Sequence, residues 1–494
     1  MSMQQPDLTA LREVMTAFPA LEAHTPSQEI APDDIYFPKA HAAALNLDRS
    51  LVIGNRGMGK SYWAKALVGR DTRARIAAAL PGSRLAEGQV EIEYGFAEGE
   101  GNFGVSRDAL QPLLASGASA ESIWRAVTLR EIAKQANRNI SPSLSERLHW
   151  VMNDPEAVRD LLRSADHALT NRQCRLVFVF DQLEQLSDDI EGRRQLIQGV
   201  LRLALAYKSY RNLRLKIFMR PDQAADDRIF QFPDSSKISG ERVDLDWRAI
   251  DLYGLLYARL RAGAQDAFDR VATRAAIDQR QLDSLTYLPR ALVEDADMQH
   301  AFFDLLAGKY MGTNPRRGFT YTWLTLHLAD ARNQVSPRTF LRAIKYAADH
   351  QPSPNDTVID YKGIHAGVDY AAKNRVDDLK EDYPWVPPAL HRLTGLSVPC
   401  DPHQLIERWH TPSSILSELK EATPGDKMPE WLASSRPDEL AAHWALLSAM
   451  ATVGVIEVRR STSKVDIPDI FRLPDDIRRR GGVTPQQRRN ARLG

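Results

Sequence analysis

The sequence predicts an α/β fold with a parallel sheet, followed by a helical region and a C-terminal unit of one helix and two strands. Three observations predict it. Apolar runs at residues 51–53 and 176–180 have the composition of strands that are buried on both faces, as in a parallel sheet. Residues 249–350 have helical periodicity instead. Residues 439–473 follow the order helix, strand, polar turn, strand.

The first motif is the glycine-rich segment from Gly54 to Ser61, which lies between the strand at residues 51–53 and a helix predicted over residues 62–68. The pattern Gly-x-x-x-x-Gly-Lys-Ser is that of a phosphate-binding loop, or P-loop, in which backbone N–H groups and a helix N-terminus surround a polyphosphate. Lys60 is expected to reach the β- and γ-phosphates, and Ser61 to place its hydroxyl on Mg²⁺. The candidate nucleotide-binding residues are Gly54, Asn55, Arg56, Gly57, Met58, Gly59, Lys60, Ser61 and Tyr62.

The second motif is the apolar run at residues 176–180, which is followed by Asp181 and Glu184. This arrangement is a Walker B motif, in which Asp181 would hold Mg²⁺ through water, opposite the Ser61 hydroxyl. Glu184 could orient or deprotonate the attacking water. The alternative for Glu184 is a solvated acid at the start of a helix.

Two arginines are predicted to contact phosphates. A third predicted strand, residues 213–219, ends at Arg220, and Pro221 stops this strand and so fixes where Arg220 projects. We interpret Arg220 as a sensor of the γ-phosphate, and the alternative is an ordinary surface arginine. Ser336 is predicted to cap a helix, which places Arg338 in the first turn of that helix and in a position to point at a phosphate.

The segment from Asp34 to His41 precedes the P-loop strand. In P-loop ATPases such a segment often lies over the adenine, so Tyr36, Phe37 and His41 are candidates for this role. The alternative is that Tyr36 and Phe37 pack in the core, while His41 caps a helix or faces solvent.

The composition excludes several classes of protein. Lys+Arg and Asp+Glu both total 64, so the net charge gives no overall attraction to nucleic acid and any such binding must come from a local patch. The only cysteines, Cys174 and Cys400, exclude a cysteine-only zinc site and argue against a disulfide framework. Neither a signal peptide nor a membrane-spanning run is visible, so we expect a soluble, cytoplasmic protein without membrane contact.

The pattern of elements predicts six regions. The last folded region has the order of the back half of a winged helix, which could bind DNA or pack against a protein. The arginines near the C-terminus (Arg478, Arg479, Arg480, Arg488, Arg489 and Arg492) suggest a disordered basic arm, either a solvated tail or a nucleic-acid contact. The predicted regions are an N-terminal helical segment (1–33), an αβ core (34–245), a helical domain (246–350), a linker rich in Pro, Asp and Asn (351–388), a winged-helix domain (389–475) and a basic tail (476–494).

With these motifs, residues 34–345 resemble the AAA+ and STAND branch of P-loop ATPases, which includes origin-recognition ATPases and bacterial signalling or phage-defence ATPases. The resemblance implies a P-loop NTPase core, a helical lid domain and a C-terminal winged helix, with ATP and Mg²⁺ as cofactors. One departure is that Gln182 follows Asp181 where the common AAA+ motif has Asp-Glu. This form looks more like STAND ATPases and leaves open whether the nucleotide is hydrolysed quickly or acts as a switch. By similarity, Lys60 and Ser61 take the Walker A roles, Asp181 and Glu184 the Walker B roles, Arg220 that of sensor 1 and Arg338 that of sensor 2.

Three functional hypotheses follow, the first two of which the resemblance implies. The first is an ATP-driven switch that forms a homo-oligomer and controls an effector protein in trans, as in bacterial antiphage defence. The second is a DNA-binding ATPase similar to origin-recognition or DNA-loading proteins, which would contact double-stranded DNA through the winged helix and the arginine tail. The third is a nucleotide-binding scaffold with negligible turnover.

Overall fold

The computed structural model describes residues 5–18, 30, 35–86, 88–97, 105–283, 286–433 and 438–480. The chain divides into two compact units. The P-loop unit is Glu22–Asp246, and the helical unit combines Met1–Leu21 with Trp247–Gly494. Residues 5–18 and the described residues after 246 therefore belong to the same unit.

The N-terminal helix α1 (Gln5–Thr16) is part of the helical unit. Leu8, Leu11 and Met15 recur at helical spacing and are fully buried, as the sequence pattern predicts. Arg12 donates hydrogen bonds to the backbone carbonyls of Pro354, Thr357 and Val358. The predicted N-terminal segment is therefore anchored to residues far along the chain.

The P-loop unit contains a parallel sheet whose strands lie in the order β2, β3, β4, β1, β5. The uninterrupted apolar runs of β3 and β4 follow from this position, because helices cover the strands on both faces. The predicted α/β fold with a parallel sheet is confirmed. The strands are β1 (Leu51–Ile53), β2 (Gln89–Phe96), β3 (Cys174–Phe180), β4 (Leu213–Met219) and β5 (Val243–Asp244).

The helices of the P-loop unit cover the sheet in two layers. Alternate residues of β3, including Phe178 and Phe180, pack with helices α5, α7 and α8 in one apolar cluster. Helix α2 packs against β2, β3 and β4 outside that cluster. The helices are α2 (Lys60–Val68), α3 (Arg70–Ala79), α4 (Arg107–Ala115), α5 (Ala120–Gln135), α6 (Leu144–Asn153), α7 (Pro155–Asn171), α8 (Ile190–Tyr207), α9 (Pro221–Ala224) and α10 (Ser235–Ser239).

The strand order brings the predicted motifs together. Strand β4 lies between β1, which leads into the P-loop, and β3, which leads into Asp181. The carboxyl ends of parallel strands meet at one edge of the sheet. Arg220, the first residue after β4, therefore lies between the P-loop and Asp181 at this edge. The sheet alone therefore places three separate sequence motifs in one site.

The first part of the helical unit has an aromatic core in which Tyr253 stacks on Tyr321 with ring centroids 4.0 Å apart. Ser336 caps α16 by accepting a hydrogen bond from the N–H of Thr339, which confirms the predicted N-cap. The helices are α11 (Ala249–Gly263), α12 (Gln265–Arg274), α13 (Ala291–Glu294), α14 (Ala296–Ala307), α15 (Thr320–Leu328), α16 (Pro337–Asp349) and α17 (Tyr361–Lys380).

The predicted linker at residues 351–388 is wrong over most of its length, because α17 is a long, half-buried helix that packs against α16. The approach is close: a Cβ on Gly367 would overlap the Ala343 carbonyl oxygen. One of the polar residues that indicate a linker, Asp360, instead caps this helix. Its side chain accepts a hydrogen bond from the N–H of Gly363.

The C-terminal part of the helical unit has the predicted winged-helix order. Helix α22 is followed by the antiparallel strands β7 and β8, which form the wing. The remaining helices and strands are α18 (Val386–His391), β6 (Ser397–Val398), α19 (Pro402–His410), α20 (Leu416–Ala422), α21 (Glu430–Ala433), α22 (Glu439–Thr452), β7 (Glu457–Val458), β8 (Val465–Asp466), α23 (Asp469–Arg472) and β9 (Arg478–Arg479).

The prediction of a tail from residue 476 is wrong for its first residues. Strand β9 pairs with β6, and the N–H groups of Arg478 and Arg480 donate to backbone carbonyls of residues 396 and 398. The Arg479 guanidinium pairs with Asp469 at 2.9 Å. Arg478, Arg479 and Arg480 are therefore part of the folded C-terminal region. Arg488, Arg489 and Arg492 lie outside the described residues.

No helix within the described ranges is long and apolar enough to span a membrane.

Candidate active site

The P-loop has the backbone that its glycines predict. Gly57 and Gly59 have φ angles of +82° and +99°, a region that side chains other than glycine rarely adopt. Gly59 immediately precedes α2, so the loop ends at a helix N-terminus. Met58 is buried, and the Tyr62 ring packs edge-on against Trp63. The loop therefore has the conformation in which backbone N–H groups can surround a phosphate.

Lys60 reaches back over the loop. Its Nζ atom donates to the backbone carbonyl oxygens of Gly54 at 2.8 Å and of Asn55 at 3.3 Å. Phosphate oxygens carry full negative charge and are stronger acceptors than carbonyl oxygens. A polyphosphate in the loop would therefore compete successfully for this ammonium group.

Ser61 and Asp181 come from different motifs, and the Ser61 side chain lies close enough to the Asp181 carboxylate to affect its pKa. The Asp181 carboxylate is buried, and this burial raises its pKa to about 6, against the opposing effects of the Ser61 hydrogen bond and the Lys60 charge. Its second oxygen, Oδ1, is buried without a hydrogen-bond partner among the residues that the structure describes. A charged oxygen that is buried without a hydrogen-bond partner costs free energy.

The chemistry of this pair fits Mg²⁺. A hydroxyl is one of the hard oxygen ligands that this ion prefers, and a carboxylate oxygen without a partner can accept a hydrogen bond from one of the several waters that the ion usually keeps. Ser61 and Asp181 are therefore the residues that would hold Mg²⁺, as the sequence motifs predict.

Glu184 and Arg220 form an ion pair, with Arg220 Nη2 2.5 Å from Glu184 Oε1. Their side chains are 24% and 12% exposed, so Glu184 is not a solvated acid and Arg220 is not an ordinary surface arginine. The Gln223 side chain accepts from the backbone N–H of Arg220 and fixes the start of α9. The alternatives for both residues are therefore wrong, and the structure brings the two predicted groups together.

The turn that carries Glu184 contains a strained residue. Gln182 has a φ angle of +56°, the left-handed conformation that glycine adopts more easily. Its backbone N–H hydrogen-bonds the Asp181 carboxylate. The strained turn thus lies between the two acids of the motif and redirects the chain from Asp181 toward Glu184.

The segment before the P-loop strand is buried. Tyr36 and Phe37 pack in the core, which agrees with the alternative given for them. His41 is fully buried and neither caps a helix nor faces solvent, so that part of the alternative is wrong. The Trp63 Nε1–H donates to His41 Nδ1 at 3.0 Å, which leaves the proton on Nε2, where it is donated to the Asp246 carbonyl at 3.0 Å.

Sequence reasoning missed the contribution of β2 to the site. Its register with β3 slips between Tyr94 and Phe96, which marks a β-bulge at Gly95. A Cβ on Gly95 would overlap the Phe180 ring, so only glycine fits here. An isolated glycine within a strand pattern is the signal that could have predicted the bulge.

Arg338 lies in the first turn of α16, in the helical unit. Its position in the helix is the predicted one. Its contact with a nucleotide stays a prediction.

No protein-family model and no curated protein matches the chain. Among solved structures, it aligns with the ORC2 protein of Aeropyrum pernix in ADPNP–ADP complexes at 12% identity, over 91% of this chain and 92% of that one, with a TM-score of 0.29. It aligns with Cdc6p of Pyrobaculum aerophilum at 13% identity (94% and 95% covered, TM-score 0.28). It also aligns with the Aeropyrum pernix ORC1 protein in complex with DNA at 14% identity (95% and 90% covered, TM-score 0.29).

Proposed function

We propose that this protein is a Mg²⁺-dependent ATPase in which Arg220 couples the presence of the γ-phosphate to the activity of Glu184. The observation that carries the proposal is the pair formed by Ser61 and the buried Asp181 carboxylate, whose second oxygen lacks a partner among the described residues. ATP is preferred over GTP because of the resemblance to AAA+ and STAND ATPases.

The residues of the site divide the work of phosphoryl transfer. Backbone N–H groups of the P-loop and the Lys60 ammonium bind the phosphates, and Ser61 and Asp181 would hold Mg²⁺, which would neutralise charge on the phosphate oxygens. Glu184 accepts a proton from the attacking water. The water oxygen bonds to the γ-phosphorus while the bond to the ADP oxygen breaks, so the products are ADP and phosphate.

The ion pair between Glu184 and Arg220 keeps the base from acting without substrate. Arg220 Nη2 donates to Glu184 Oε1 at 2.5 Å, so this carboxylate is engaged by the guanidinium instead of by an attacking water. A γ-phosphate at this edge of the sheet presents a competing anion to Arg220. Arg220 would then turn toward the phosphate and free Glu184 to take a proton.

The first experiment measures steady-state ATP hydrolysis by the purified protein, with Lys60→Ala as the blank. We expect Mg²⁺-dependent turnover that Glu184→Gln lowers on the order of 10²-fold or more while ATP binding persists. Binding without turnover in the wild type would contradict the ATPase proposal and support the scaffold hypothesis instead. A wild type that does not bind ATP would overturn both.

The wing favours a second function, binding of double-stranded DNA. Arg460 and Lys464 are exposed in the turn between β7 and β8, whereas Arg459 pairs with Asp466 within the hairpin. Helix α22 carries no Lys or Arg and exposes Leu440 and Trp444. We infer that any contact with DNA phosphates is made by the wing and not by this helix.

The DNA test compares affinities at two salt concentrations. The double variant Arg460→Ala/Lys464→Ala should weaken binding to double-stranded DNA and flatten its salt dependence, because two phosphate contacts are lost. Arg408→Ala, at an exposed arginine of α19, is the control. A deletion that tests the tail should begin at residue 481, because Arg478–Arg479 is a strand of the fold. Unchanged binding in the wing variant would exclude the wing as the DNA contact.

Homo-oligomer formation, an effector partner and a role in antiphage defence are implied only by the resemblance, and they stay predictions.

A further inference from the structure

Tyr94 lies on β2, outside every motif that the sequence analysis used, yet it faces the site. Strands β2 and β3 are parallel, and Tyr94 is the register partner of Val179. Residues paired across a sheet share a face, and residues two apart on a strand do too. Tyr94 and Asp181 are therefore on the same face of the sheet, at neighbouring strand ends.

The bulge at Gly95 maintains this placement. Without an extra residue, Tyr94 and Phe96 would point to the same face. Instead Phe96 joins the apolar cluster that contains Phe180 and lies edge-on to Trp124, with ring centroids 6.2 Å apart. The bulge thus lets β2 bury Phe96 on one face and keep a phenol beside Asp181 on the other.

The surroundings of Tyr94 suit a polar role. Burial, together with the nearby Asp181 charge, raises the Tyr94 pKa, so its hydroxyl stays neutral. The side chain is only partly buried, which leaves room for a water beside it. Asp181 Oδ1, for its part, lacks a hydrogen-bond partner within the described part of the chain.

We propose that Tyr94 is a positioning residue of the metal site, whose hydroxyl oxygen and Asp181 Oδ1 accept the two hydrogens of one water on Mg²⁺. This role rests on the proposed function. It explains why a carboxylate oxygen can be buried without a protein donor, since the water supplies the missing hydrogen bond. Groups that orient a metal's ligands in this way commonly contribute about 10-fold or more to metal affinity.

The test measures the affinity for Mn²⁺, as a stand-in for Mg²⁺, in the full-length protein with a non-hydrolysable ATP analogue, using the electron paramagnetic resonance signal of free Mn²⁺. Tyr94→Phe should weaken Mn²⁺ binding on the order of 10-fold. Binding of the analogue in excess EDTA should not change, because the P-loop is intact. If Tyr94 were purely structural, Tyr94→Phe would change thermal stability but would not weaken Mn²⁺ binding selectively.

Tyr210→Phe is the matched control. It makes the same change in the same unit, but Tyr210 precedes β4 and so lies at the opposite edge of the sheet. Equal Mn²⁺ affinity in the wild type and Tyr94→Phe would overturn the role of Tyr94 alone. A wild type without analogue-dependent Mn²⁺ binding would overturn both this role and the proposed function.

Discussion

Glu184 and Arg220 follow different strands but act as one unit through their ion pair. We expect Arg220→Ala and Glu184→Gln each to lower kcat on the order of 10²-fold. The double variant should be little worse than either single one, because groups that act together are not additive. The measurement is a double-mutant cycle on ATP turnover. If the two effects multiply, the residues act independently and the coupling mechanism is wrong.

Lys216 is a buried cation that makes stability depend on pH. It is completely buried on β4, and its Nζ donates to the carbonyl oxygens of Asn46 and Arg49 at 2.8 and 2.6 Å. Burial lowers its pKa to about 7, whereas an unfolded lysine titrates near 10.5. Between these values the unfolded chain binds more protons, so this group makes the folded state more stable as the pH rises.

Lys216→Met should remove this dependence. From pH 7 to pH 9, the wild type should gain on the order of 1–2 kcal/mol of unfolding free energy relative to the variant. Urea unfolding at both pH values measures the difference. Relative to Lys237→Met, at an exposed lysine of the same unit, the wild type should show no such gain, because this variant keeps Lys216. If the wild type gains equally relative to both variants, the pH dependence does not come specifically from Lys216.

Single residues were predictable from sequence only where chemistry fixes their spacing. The P-loop pattern predicts the placement of Lys60 and Ser61 before any fold is known. The carbonyls that bind Lys216 come from a loop about 170 positions away, so no local pattern could indicate them. Tyr94 was missed for a similar reason, since the register of β2 against β3 decides its position.

At the scale of elements, the bulge in β2 is the feature most sensitive to a small change. Gly95→Ala would place a methyl group against the Phe180 ring, and Asp181 is tied to this point because its N–H donates to the Phe96 carbonyl at 2.9 Å. We expect a loss of roughly 1–3 kcal/mol of stability, as for other overpacked sites, together with weaker Mg²⁺-dependent turnover.

Urea unfolding and ATP turnover test this expectation. Gly82→Ala is the control, because open space surrounds its added Cβ. It should change stability by about 0.5 kcal/mol or less. Equal stability of the two variants would show that the strand accommodates the methyl group and that the bulge does not depend on glycine.

The sequence periodicity predicts which segments are helices and which are strands, but it predicts the boundaries between regions poorly. The runs that became β3 and β4 are apolar throughout, and a parallel sheet is the environment that favours such runs. Polar residues around 351–388 were interpreted as a linker, although Asp360 caps a 20-residue helix. Capping residues and linker residues have similar composition, so only the apolar residues within α17 distinguish them.

At the scale of the whole molecule, α1 should contribute to the stability of the helical unit only. Leu11 is fully buried in that unit, and its truncation to alanine typically costs about 2–5 kcal/mol. Hydrogen exchange should therefore lose protection in α11, α12 and α16, which pack against α1, but not in the sheet of the P-loop unit.

Thr9→Ala is the control, since Thr9 is exposed on the same helix. It should leave protection in both units unchanged. Equal loss of protection in both units of Leu11→Ala would show that they unfold as one.

The order of the elements was predictable from sequence, because each region contains a distinct pattern: the P-loop, helical periodicity, and the wing. The packing partners of α1 were not predictable from sequence. Its amphipathic pattern predicts that Leu8, Leu11 and Met15 are buried, but not which of many distant helices buries them.

The position of α1 also affects how the chain is made. This helix leaves the ribosome before the P-loop unit, whereas α11 begins only at Ala249 and α16 at Pro337. At about 5–20 residues per second, α1 waits roughly 10–50 s for its first partner. During that interval a complete α/β unit can fold while Leu8, Leu11 and Met15 remain open to wrong contacts. Nascent-chain chaperones are therefore expected to act on α1.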